Sequence, residues 1–104
     1  MPAAARGDRR DTVASKTGTG MNCASPMTTA TNECSPNVIT NGIGSVRKGD
    51  KVDPHPRVGC STDTSVLTTH SPNVFVNGRG FGRLGDQYTS DNTITSGSQN
   101  VFVN

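Results

Sequence analysis

A chain of 104 residues with net charge +2 and only 18 Leu, Ile, Val and Phe residues has material for one small domain, not for two separate cores. The near-balanced charge gives no basic footprint for nucleic acid, and no apolar run is long enough to span a membrane. Val outnumbers Leu five to one and Thr, Ser, Asn and Gly are abundant, which suits short strands and turns. So small a core is expected to need a disulfide, a metal or a partner, and three cysteines cannot all pair within one chain.

In chain order, Met1-Pro2-Ala3-Ala4-Ala5 runs into Arg6-Gly7-Asp8 without an apolar stretch, so no signal peptide is expected. Residues 3–8 read as the end of a repeat whose start is missing. A long loop from Arg9 to Glu33, rich in Thr, Ser, Gly and Asn, carries Cys23 and ends at Cys34. The first full unit follows, Ser35-Pro36-Asn37-Val38-Ile39-Thr40-Asn41-Gly42, continuing to Gly49-Asp50. Its spacing predicts a strand at Val38–Thr40, a type I′ turn at Asn41-Gly42 and a returning strand over Ile43–Lys48, because both turn positions need φ > 0. A second loop, Lys51 to Thr69, carries His55 and Cys60 and ends at His70.

The second unit, Ser71 to Asp86, matches residues 35–50 at ten of sixteen positions without a gap. Internal repetition outranks other signals in a single sequence. The third loop, Gln87 to Gly97, has neither Cys nor His, and the third unit, Ser98 to Asn104, stops at its first strand. The two incomplete ends are predicted to complete each other, Val101–Val103 pairing with Ala3–Arg6. One all-β domain over 1–104 results, with three hairpins (35–50, 71–86, and 98–104 plus 3–8) in pseudo-threefold symmetry and little or no helix.

With these motifs the chain resembles the PAAR-repeat family. The resemblance rests on Pro2-Ala3-Ala4-Ala5-Arg6-Gly7-Asp8, on the two Ser-Pro-Asn-Val hairpins and on the three Gly-Asp pairs, and covers nearly the whole chain. It implies a small conical tip on a homotrimeric β-helical spike, one tip per trimer, in a contractile phage tail or a type VI secretion machine. The implied target is the outer membrane of the attacked cell, and the implied location is the virion baseplate or, alternatively, the secreted spike. No nucleic acid and no small-molecule substrate is expected, nor is the chain expected to be an enzyme. Docking is expected at Val38, Val74, Phe75, Val76, Val101 and Phe102.

The resemblance also implies a zinc ion near the apex, held by His and Cys, with zinc ranked ahead of iron. The candidate ligands are Cys23, His55, Cys60 and His70, with Cys34, at the position equivalent to His70, competing for the fourth place. A Cys23–Cys60 disulfide is the alternative in an oxidising environment. Two further motifs are set aside. Gly80-Phe81-Gly82-Arg83-Leu84-Gly85 spells a dinucleotide fingerprint, but no helix follows it. His70 and Ser71 with Asp53 or Asp63 could be arranged as a hydrolytic triad, but Ser71 recurs as Ser35 and reads as a repeat residue.

Overall fold

A computed structural model describes all residues, 1–104, and its regular structure is nearly all antiparallel β. In chain order the strands are β1 (Thr12–Thr19), β2 (Ser25–Ala30), β3 (Ile39–Thr40), β4 (Ile43–Gly44), β5 (His55–Pro56), β6 (Thr62–Asp63), β7 (Phe75–Val76), β8 (Arg79–Gly80), β9 (Gln87–Tyr88) and β10 (Asn92–Ile94). One 3₁₀ turn, Met21–Cys23, lies between β1 and β2.

Hairpins β3–β4 and β7–β8 turn at Asn41-Gly42 and Asn77-Gly78, all four at positive φ, as the sequence predicts. The third hairpin is made by the two chain ends: Ala3 pairs with Phe102, and the Val103 amide donates to the Pro2 carbonyl at 2.8 Å. The expected pairing is thus made, one residue nearer the N-terminus. Each hairpin is entered through the same serine turn. The hydroxyls of Ser35, Ser71 and Ser98 accept from the amides of Val38, Val74 and Val101 at 2.8 to 2.9 Å.

The three units close around an axis. The Ala5 amide donates to Gly82 O, Gly82 to Val46 O and Val46 to Ala5 O, at 3.0, 2.8 and 3.1 Å. This cyclic set ties each unit to the next. Ala5 and Val46 are both fully buried there, and Gly82 is bare because a Cβ would meet Leu67 and Val46 at about 3 Å. Of the glycines in the apparent dinucleotide motif, Gly82 and Gly80, the latter against the His70 ring, are therefore packing positions, while Gly85 has open space around it and serves a turn at φ 91°.

One correspondence read from sequence is corrected. Arg47 and Arg83 fold back on Asp50 and Asp86, but Arg6 reaches Asp11 rather than Asp8. Asp8-Arg9-Arg10 stands where the other units have a single glycine, and Asp8 is exposed. Gly7-Asp8 is thus a coincidence of letters, and the third unit runs to Asp11.

The segments expected as loops are themselves hairpins. β1 pairs with β2 and with β10, and β10 with β9, giving a four-stranded sheet in the order β2-β1-β10-β9. A separate short hairpin, β5–β6, rises from the second loop. The main core is Ala5, Val13, Val46, Val52, Leu67, Tyr88 and Ile94, where the base meets these rising hairpins. A smaller cluster of Ala4, Val76, Phe81 and Val103 fills two of the three sides of the base. On the third side Thr40 and Ser45 occupy the equivalent positions and bond to each other at 2.7 Å. The molecule measures 39 × 23 × 23 Å.

Candidate functional site

Each hairpin of the base leaves one large apolar side chain exposed at an equivalent position. Ile39 and Phe75 open β3 and β7, and Phe102 holds the equivalent place at the chain end; they pair with Gly44, Gly80 and Ala3 and are exposed by 53, 59 and 50 %. Their neighbours Thr40, Val76 and Val103 point inward and are buried, because successive strand residues face opposite sides. Of the residues expected to dock a partner, Phe75, Phe102 and Val38 are exposed, Val74 and Val101 are half-buried, and Val76 belongs to the core. Ile39, outside the expected docking set, joins them, and its alignment with Phe75 and Phe102 in the repeat is the sequence signal for it. The hairpin tips interlock sideways: Asn77 donates to Asn37 at 3.0 Å and Asn41 to Asn100 at 2.8 Å.

The opposite end is built differently. Cys23, the last residue of the 3₁₀ turn, and Cys60, after Gly59, form a disulfide with their Cα atoms 5.2 Å apart. It joins the tip of the β1–β2 hairpin to the tip of β5–β6. Both cysteines have φ in the left-handed region, 54° and 64°.

Beneath them His55 and Asp63 face each other across β5–β6, with His55 Nε2 3.3 Å from Asp63 Oδ2 and both side chains 2 % exposed. His55 Nδ1 lies 2.9 Å from Asp53 O. A carbonyl only accepts, so Nδ1 carries the proton of that bond. Ser65 donates to Asp63 through both amide and hydroxyl, at 2.9 and 2.7 Å, and Asn92 Nδ2 donates to it at 3.1 Å. Burial pushes the Asp63 carboxyl up, but the bonds from Ser65 and Asn92 and the proximity of His55 outweigh it, leaving the pKa below its ordinary value. Asn92 Oδ1 and the Tyr88 hydroxyl are buried without a partner, and burial followed by the charges of Asp50 and Asp11 raises the Tyr88 pKa.

The expected zinc ligands are not brought together. The sulfurs of Cys23 and Cys60 are bonded to each other, and a disulfide offers no thiolate to zinc. His70 lies in the base: its ring occupies the space over Gly80, and Nδ1 is 2.8 Å from Ser71 O. Cys34 fills the same place in its own unit, against Gly7 and Gly44. Burial raises the Cys34 pKa, with Asp50 and Asp8 adding to it, so the group is a neutral thiol near pH 7. His55 retains Nε2 beside Asp63, which makes two donors where a structural zinc takes four. No cluster of three or more Cys, His, Asp and Glu has ligand geometry. The residues present do not fit a resident zinc or iron ion.

The Ser71 hydroxyl is buried and engaged by Asn73 and Val74 in the hairpin-entry turn, while His70 meets the Ser71 carbonyl rather than its hydroxyl. No helix is long and apolar enough to cross a membrane. Comparison of the chain with known protein families finds no match, and neither does comparison with curated proteins.

Proposed function

We propose that this chain is a PAAR-like spike tip, capping the blunt end of a homotrimeric β-helical spike of a contractile phage tail. The observation that carries this reading is the pseudo-threefold set of Ile39, Phe75 and Phe102, three large apolar side chains left half-exposed around a closed backbone ring. Scattered exposed apolar residues need no partner, but three at equivalent positions of an internal repeat match the symmetry of a trimer. One copy per trimer would cover all three at once. The hairpins that rise from the base taper to two joined turns, a shape suited to concentrating axial force on a small area of outer membrane. The tip of a type VI secretion spike would use the same geometry.

Native mass spectrometry of the chain with the trimeric spike encoded nearest to it tests the reading. A complex of one chain to three spike subunits is expected, weakened about tenfold or more by Phe75→Ser or Phe102→Ser. A folded monomer that ignores the spike would sink the proposal and favour a free-standing β-module.

A further inference from the structure

We infer that the apex of this chain is closed by a covalent staple in place of a metal ion, so that it opens on reduction and not on chelation. This goes beyond the spike-tip reading and does not depend on it.

Little else holds the two upper turns together. Residues 20–26 and 56–62 contain no buried side chain; all are exposed except the half-buried Cys23. The apolar core ends below them, at Val13, Val52, Leu67, Tyr88 and Ile94. The Gly59 amide donates to Asn22 O at 2.8 Å, the single backbone bond between the turns. Lower down, Gly18 lets β1 pass close to Pro56 O. In the base, by contrast, the ring through Ala5, Val46 and Gly82 is independent of the disulfide.

A dithiol reductant would pass two electrons and two protons to the Cys23–Cys60 bond. The S–S bond breaks, two protein thiols form, and the dithiol closes to its own disulfide. Both turns lie at the surface, so the bond is within reach of such a reagent. The expected result is local opening of the apex with the base intact, since regions with few buried contacts open separately from the rest.

The test traps thiols with N-ethylmaleimide at harvest, then counts them in denaturant by intact mass, alongside elemental analysis for metal. One thiol per chain, Cys34, is expected before reduction and three after it, with no stoichiometric zinc or iron. Amide exchange in 20–26 and 57–61 should accelerate on the order of tenfold or more in dithiothreitol, leaving 44–46 and 81–83 unchanged. Neither region should respond to EDTA. Cys23→Ser/Cys60→Ser should reproduce the reduced pattern without reductant, and Cys34→Ser should not. Three free thiols with about one bound metal per chain would overturn the inference, as would apex exchange that ignores dithiothreitol or rises in EDTA. Spike binding is a separate measurement, so failure here leaves the docking proposal standing, and the converse holds.

Discussion

Arg6 holds Asp11 with the same three bonds that Arg47 uses to hold Asp50, although five residues separate the first pair and three the second. In each pair the arginine amide and Nε meet one carboxylate oxygen and an Nη meets the other, at 2.6, 3.1 and 2.8 Å for Arg6 and 2.8, 2.9 and 2.9 Å for Arg47. Both aspartates are almost fully buried. Removing one partner of such a pair leaves the other charge unmatched. Asp11→Asn should therefore cost about 3 kcal/mol in urea unfolding, whereas Asp8→Asn, exposed, should stay within about 0.5 kcal/mol. An equal or larger loss at Asp8 would restore the Gly7-Asp8 register and reject the one observed.

The same pair sets an acid limit. Burial pushes the Asp11 carboxyl up, but hydrogen bonds and charge from Arg6, with a bond from Ser96, pull it below its ordinary value. Asp63 is lowered as well. A carboxyl depressed in the folded state contributes stability that is complete above its unfolded pKa of about 4 and is lost as pH falls through the folded value. The urea midpoint should change little on account of these groups between about pH 7 and 5, then drop below about pH 4. Asp11→Asn should flatten that drop; an unchanged slope would show that Asp11 does not carry it.

How much of this was legible in the sequence divides along the repeat. The hairpins were, because Asn41-Gly42 and Asn77-Gly78 specify their turns by φ and the matched units fix what pairs with what. The closure of the two ends followed from the same matching. The strands of the loops were not visible. β1 buries Val13 and Ser15, and β10 buries Asn92 and Ile94, so their inward faces mix apolar and polar residues and show no alternation in hydropathy. The Asp11 pairing was hidden because Asp8 gave a better match by letter, and only the three-residue detour at 8–10 reveals which carboxylate returns to the arginine. At the apex, cysteine spacing fits a metal and a disulfide equally well, and the distinction needs the two turns in space.

Pairs across the repeat make a packing prediction with an internal control. A Cβ on Gly80 would overlap the His70 ring, with all three nearest atoms belonging to that imidazole. In the third unit the equivalent pair is reversed, Ala3 standing opposite Gly97 in contact range. Gly80→Ala alone should lose about 1–3 kcal/mol through overpacking. The double variant Gly80→Ala/His70→Gly, which copies the third unit, should recover most of that loss, giving a favourable coupling energy of about 1 kcal/mol or more. Simple additivity of the two substitutions would remove His70 as the reason for the glycine.

The third hairpin lacks a covalent turn, and this predicts where the chain can be cut and rejoined. In the complete units Asn-Gly links a buried strand residue, Thr40 or Val76, to the first returning residue, Ile43 or Arg79. Val103 and Pro2 hold those places in the third, so Asn104 stands where the turn asparagine does and Met1 where the turn glycine does. Joining Asn104 to residue 1, with Met1→Gly to accept φ > 0 and Pro2→Arg, as at Arg79, to restore the amide and free the ψ that proline denies the turn, should complete a third Asn-Gly turn. A permutant that begins at Gly78 and ends at Asn77 then keeps every strand pairing of the original and merely moves the nick from one tip to an equivalent one. It should fold with the same far-ultraviolet signature and unfold within a few degrees of the parent, since closing one loop offsets opening another of similar length. A cut between Val46 and Arg47 is the contrasting case. It severs the chain within the axial ring, beside the bonds from Val46 to Ala5 and from Gly82 to Val46, and should leave a chain without cooperative unfolding. If both permutants fold equally well, the cyclic ring is not what organises the base; if neither folds, the chain ends do not meet as a third hairpin.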